Sequence, residues 1–285
     1  MPPNIPTKTL GGKQFWGDLR FYGAWRIQQH VLTGHCRLLD GGMVRRSWGS
    51  REECDGALAD VIATGKVKIE TKKACLLVHG YIRSKDSLST MKAHLEANGY
   101  TVYDVGYPSA QTDLGSLVAQ LKAVYESTGE DFERVDWVTH SLGGILARGV
   151  LTQYETLPVE TRVVMMGPPN QGAVMADLLL GWWPSEYILG PVGKDLGKKM
   201  EAAVQTLGTP KCDVGIIAGA KGTEGGWNPL IPGDDDGVVG VESTKLEGMK
   251  DWISVRALHT LIMNHPDTLA QVVRFLDKGA FGEKE

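Results

Sequence analysis

Apolar and polar positions along the chain fall into two regimes. From residue 74 onward, short apolar runs at 74–78, 101–105, 134–138, 163–166, 214–218 and 253–255 alternate with stretches of helical spacing. Largely apolar runs of that length suit strands covered on both faces, and their alternation with helices predicts crossover units around a mainly parallel sheet. Between the runs, Leu88, Met91 and Leu95 share one helix face, as do Leu117, Val118, Leu121 and Val124. Two amphipathic helices are predicted there, over 87–97 and 114–125. Two more are predicted, one starting right after Ser141 and running through Leu151, and one over 266–276, opened by Pro266. The first seventy residues are aromatic-rich (Phe15, Trp16, Phe21, Tyr22, Trp25) but show no clear strand pattern. They read as an arm, 1–70, packed on a domain at 71–285. Residues 173–206 are longer than a connection requires and carry Leu178, Leu179, Leu180, Trp182, Trp183 and Tyr187, which predicts an insertion.

Composition narrows the function classes. The chain has 285 residues, with 34 Asp plus Glu against 30 Lys plus Arg and a net charge of −4, so no nucleic-acid partner is expected. Apolar residues make up 42%, enough for a large core. No apolar run approaches the ~18 residues of a membrane span, and the first ten residues lack the apolar stretch of a secretory signal. The expectation is a cytoplasmic protein or one peripheral to a membrane, with Lys13, Arg20 and Arg26 among aromatics as the feature favouring an interface. Cys36, Cys54, Cys75 and Cys212 lie far apart without a CxxC spacing, so no metal site is expected from them, and Cys36 and Cys54 would pair only in an oxidising compartment. Oligomeric state is not legible.

The chemistry centres on Val138-Thr139-His140-Ser141-Leu142-Gly143-Gly144, placed directly after a predicted strand and directly before a predicted helix. A serine there sits on a sharp turn, and its neighbours two before and two after must be small because strand and helix backbones crowd together. Thr139 and Gly143 fill those places, with threonine where glycine is commoner. A serine hydroxyl needs a base, and the base an orienting acid. The acid is expected within Asp234-Asp235-Asp236-Gly237, Asp236 first and Asp235 second. The competing reading of that run is a solvated acidic turn or a Ca²⁺ site at Asp234 and Asp235. The base is expected after the last strand, His259 ahead of His265, which instead suits the start of the final helix. His79 and His140 flank the site by position. Oxyanion donors are expected from the N–H of Leu142, at a helix N-terminus, and of Tyr81, which follows the His79-Gly80 turn.

Taken together, these residues resemble the α/β-hydrolase superfamily, within it the bacterial lipases and carboxylesterases. The resemblance runs from about residue 74 to 278 and includes the order Ser, Asp, His, itself a family mark. The segment Met166-Gly167-Pro168-Pro169-Asn170-Gln171-Gly172 also looks like a lipase loop, with Pro168 where threonine is usual. The resemblance implies an α/β-hydrolase fold, a mainly parallel sheet with helices on both faces, plus the N-terminal arm and a lid or cap insertion at 173–206. It implies Ser141 as nucleophile, His259 as base, Asp236 as orienting acid and Tyr81 and Leu142 as oxyanion donors. His79, His140, Trp182 and Trp183 would contact substrate. The expected activity is serine carboxylic-ester hydrolysis of a small-molecule or lipid acyl ester, without cofactor and with a lipid-interface contact as one option. A thioesterase or acyltransferase would use the same triad, and a binding protein on a hydrolase scaffold is the reading from another class.

Overall fold

The structure, a computed structural model, describes residues 7–8, 15–81, 85–109, 111–172, 204 and 206–282. Its centre is a six-stranded sheet built from β6 (Lys73–Val78), β7 (Thr101–Val105), β8 (Arg134–His140), β9 (Arg162–Met166), β10 (Asp213–Ala220) and β11 (Asp251–Arg256), in the order β11-β10-β9-β8-β6-β7. Every pairing is parallel. All six lie where the apolar runs predict them, each equal to its run or longer by one to three residues.

Because successive strand residues point to opposite faces, each run divides its apolar side chains between two cores. Ala74, Leu76 and Val78 of β6, with Val135 and Trp137 of β8, enter one core. There α3 (Leu114–Gly129) and α4 (Leu142–Leu151) cover the sheet with Leu117, Leu121, Ile145 and Leu146. Cys75, Leu77 and Val138 enter the other. That face is closed by α2 (Ser89–Ala97) and α5 (Pro266–Lys278) through Met91, Leu95, Val272 and Phe275.

The N-terminal region departs from the sequence reading. Where no strand pattern is legible, the chain forms β2 (Trp16–Tyr22), β3 (Trp25–His30), β4 (Cys36–Leu39), β5 (Val44–Gly49) and α1 (Arg51–Ala63), and a short β1 (Thr7–Lys8) pairs with β5. The sheet is antiparallel, ordered β1-β5-β4-β3-β2, and Leu19, Ile27, Cys36, Leu38, Cys54 and Leu58 form its own small core. Three features hide it in the sequence. Register shifts between Asp18 and Arg20 and again at Leu38 and Leu39, and polar residues occupy buried positions. The third is that the buried polar residues satisfy one another. Gln28 Nε2 donates to Asp18 Oδ1 at 2.8 Å, Arg26 to Asp18 Oδ2 at 3.2 Å, and Arg37 to Gln28 Oε1 at 2.7 Å. Asp18 also joins the two sheets, its Oδ2 accepting from Gly106 N at 2.6 Å while its own N–H donates to Gly106 O at 2.8 Å. Cys36 and Cys54 share the small core as free thiols.

Candidate active site

The order of the central sheet reverses between β6 and β8, and the connections leaving these neighbours run to opposite faces, which opens a crevice at their carboxyl ends. His79-Gly80-Tyr81 leaves β6 there and Ser141 leaves β8. Beside them Gly167 leaves β9, and the loops after β10 and β11 bring Asp236 and His259.

Ser141 stands between β8 and α4 at φ 54 and ψ −122. Among the described residues, Met43 is the other non-glycine at positive φ. Such a conformation persists only where the surroundings impose it. Here the Ser141 N–H donates to Met166 O at 2.9 Å, and Ser141 O accepts from Gly144 N at 2.9 Å. The turn also needs the absence of a side chain at Gly143, where a β-carbon would lie 2.4 Å from the Val78 carbonyl oxygen. Thr139, where glycine is commoner, is fully buried, its hydroxyl 3.4 Å from Val164 O. Leu142 is the first residue of α4, so its N–H is one of the donors that the helix leaves without an internal partner.

His259 Nδ1 lies 2.7 Å from Asp236 Oδ2. Asp236 Oδ1 accepts from the N–H groups of Val238 at 3.0 Å and Val239 at 2.7 Å, and the His259 N–H donates to Asp236 O at 2.8 Å. A carboxylate held by backbone amides accepts only, so Nδ1 is the donor to it, and in the neutral ring Nε2 is the nitrogen left as an acceptor. The two residues close around Gly167, at φ +56, where a β-carbon would lie 3.1 Å from both Asp236 Oδ2 and His259 Nδ1. Gly167 is a site residue that sequence reasoning did not single out by itself.

The alternatives find other partners. Asp235 accepts from Asn228 N at 3.0 Å and Gly237 N at 2.6 Å, and Asp234 from Lys221 N and Gly222 N, both at 2.9 Å. The acidic run is thus organised by backbone N–H groups, and among the described residues no group of three His, Cys, Asp or Glu could hold a metal ion. His265 caps α5, its Nδ1 accepting from Asp267 N at 3.3 Å.

His79 and His140, expected beside substrate, are 2% and 1% exposed. His140 Nε2 donates to His259 O at 2.9 Å, and its ring centroid is 4.6 Å from that of His259, so it ties the serine turn to the histidine loop. The His79 ring stacks on Tyr107, a residue no sequence signal marks. Also unmarked is Arg148 of α4, 2% exposed, which donates to Asn170 O at 3.1 Å and Leu207 O at 2.6 Å. Burial pulls its guanidinium down to about 10. Trp182, Trp183 and the insertion at 173–206 lie outside the described residues, apart from Val204 and Thr206. Among the described residues, no helix is long and apolar enough to cross a membrane.

Solved structures with this fold include the mature form of Bacillus licheniformis lipase BlEst2, 21% identical, covering 74% of this chain and 94% of that one at a TM-score of 0.60. A study of LipS and LipT, two metagenome-derived lipolytic enzymes, supplies another, 16% identical, with 74% and 96% covered and a TM-score of 0.53. Phospholipase PlaB from Legionella pneumophila is 15% identical over 74% of this chain, which spans 60% of PlaB, at a TM-score of 0.53. At such identities the likeness shows the fold. No curated protein matches the chain. The pattern described as the alpha/beta hydrolase family matches residues 75–218, just over half of the chain and the part that carries β6 through β10 and Ser141. The chain therefore belongs to the alpha/beta hydrolase family.

Proposed function

We propose that the protein is a serine hydrolase of lipid-like carboxylic esters, with Ser141 as nucleophile, His259 as general base and then acid, and Asp236 as the orienting carboxylate. The observation that carries this reading is the strained Ser141 turn at φ 54, at the same carboxyl end of the sheet as a histidine whose Nδ1 is held by Asp236. Ser141 Oγ attacks the acyl carbonyl while its proton passes to His259 Nε2. Asp236 stabilises the imidazolium, and the N–H groups of Leu142 and Tyr81 receive the oxyanion. Collapse expels the alcohol, which takes the proton from His259. Water, deprotonated by the same histidine, then attacks the acyl-enzyme, releases the acid and restores Ser141. No cofactor enters the scheme.

A lipid-like acyl group is favoured by the apolar side chains on the loops around Asp236 and His259. Leu258 and Leu261 flank His259 at 37% and 56% exposed, and Trp227 and Leu230 precede Asp236 at 40% and 62%. The similar solved structures described as a lipase, a phospholipase and lipolytic enzymes point the same way. A p-nitrophenyl ester series from acetate to palmitate, run on wild type and Ser141→Ala, tests both parts. Turnover should fall at least about a thousandfold in the variant, and the wild type should prefer medium or long chains. Ser141-independent turnover sinks the mechanism. A sharp acetate optimum sinks the lipid-like substrate.

A further inference from the structure

In this reaction the second oxyanion donor is the N–H of Tyr81, and β6 by itself does not dictate where that N–H points. A peptide unit is planar with C=O and N–H antiparallel, so whatever holds the Gly80 carbonyl also orients the Tyr81 N–H. His79 holds it. Its Nδ1 lies 2.8 Å from Gly80 O, and since a carbonyl only accepts, Nδ1 is the protonated nitrogen. One peptide earlier, the His79 carbonyl accepts a hydrogen bond from the Tyr107 hydroxyl. Tyr107 also fixes the imidazole itself, the two rings stacking with centroids 4.2 Å apart and planes 6° from parallel. Both side chains are buried, and burial pushes the Tyr107 phenol upward, which keeps it a donor. The loop so held abuts the serine. A β-carbon at Gly80 would lie 3.1 Å from Ser141 Cβ.

We propose that Tyr107 and His79 form a brace that sets the Tyr81 N–H in its oxyanion-binding orientation, with Tyr107 a positioning residue acting through His79. The inference rests on the reading of Ser141 as an ester-cleaving nucleophile. It gives two consecutive peptide planes a side-chain restraint each, so the donor is oriented before substrate arrives, and a preorganised donor is where such a site gains most.

The test uses the full chain, p-nitrophenyl butyrate and a trifluoromethyl ketone, which adds to the serine as a tetrahedral oxyanion, with active sites counted by fluorophosphonate labelling. Per labelled site, Tyr107→Phe should lower kcat about ten- to a hundredfold, less than deletion of a whole donor costs. KM should stay unchanged, and the ketone should weaken by the same factor. His79→Asn, whose amide nitrogen can stand in for Nδ1, should keep most of the turnover that His79→Phe loses. Wild-type kcat and ketone affinity in Tyr107→Phe overturn the brace, as does a deficit that shows only in melting temperature or in the number of labelled sites. If Tyr107→Phe fails to fold, the His79 pair decides, and equal per-site kcat in both overturns the proposal. Ser141→Ala run in parallel separates the two failures. Turnover that survives it removes the hydrolase reading and the brace together, whereas Ser141-dependent turnover untouched by Tyr107→Phe removes the brace alone.

Discussion

Ser141 is kept at positive φ by its neighbours, and those neighbours are where single substitutions act most sharply. Gly143→Ala would put a β-carbon 2.4 Å from the Val78 carbonyl oxygen, backbone against backbone with no side chain to swing aside. It should destabilise the protein by about 1–3 kcal/mol, read by urea unfolding, and depress turnover in the fraction that folds. The carboxylates are separable in the same way. Asp236→Asn would face the His259 Nδ1–H with an amide, favour the wrong tautomer and lower kcat by about 10⁴. Asp235→Asn keeps an oxygen for Gly237 N and Asn228 N and should leave turnover of the wild-type order. Equal losses in both variants would remove the distinction. At this scale the sequence carried the serine, its small neighbours and the choice of Asp236 and His259 as first candidates, because those depend on spacing from strand ends. It carried nothing of Tyr107, because a lone tyrosine after a strand gains its meaning from a residue 28 positions away.

Among elements, the parallel strands were legible and the antiparallel ones were not. A strand covered on both faces is mostly apolar, and each core strand announces itself even where, as in β8, it also buries an ion pair, Arg134 with Asp136. In β2 and β3 the inward positions include Asp18 and Gln28, whose polarity contradicts their burial until the hydrogen bonds are known. Asp18→Ala should therefore cost about 3–5 kcal/mol in urea unfolding, since it leaves Arg26, Gln28 and the Gly106 N–H without their buried acceptor. A loss under 1 kcal/mol would show the network to be dispensable. The start of α3 gives a milder, pH-dependent case. Hydrogen bonds from the Ser116 hydroxyl, then from the Ser116 N–H, hold the capping Asp113 carboxyl below its ordinary value near 3.8. A depressed folded-state value means that the contribution is complete above the unfolded value and disappears as pH falls through the folded one. Asp113→Ala should thus cost about 1 kcal/mol at neutral pH, and the gap from wild type should close below about pH 4. A gap that stays constant down to pH 2 would mean that the charge is not what caps the helix.

Across the whole molecule, the two sheets are joined by more than a linker. Phe21 enters the main core and stacks on Tyr103 with centroids 4.6 Å apart, and Gln120 of α3 donates to Asp18 O and Gly106 O. A chain starting at residue 71 would uncover these surfaces. It should aggregate or melt well below the full chain, and the full chain should unfold in one transition by calorimetry. A soluble 71–285 fragment with the full chain's melting temperature would mean that residues 1–70 contribute nothing to the stability of the α/β-hydrolase fold.

What the sequence determined by itself was whatever depends on local pattern: buried parallel strands, amphipathic helices, a serine on a strand-to-helix turn, and the order of serine, aspartate and histidine. Tertiary structure alone decided what depends on meeting across the chain. It brought Asp236 onto His259, closed both around Gly167, buried His79 and His140, and folded the described part of the N-terminal seventy residues into an antiparallel sheet with Asp18 and Gln28 buried. The physical reason is that periodicity reports which side of an element faces apolar surroundings, while a hydrogen bond between distant residues leaves no periodic trace.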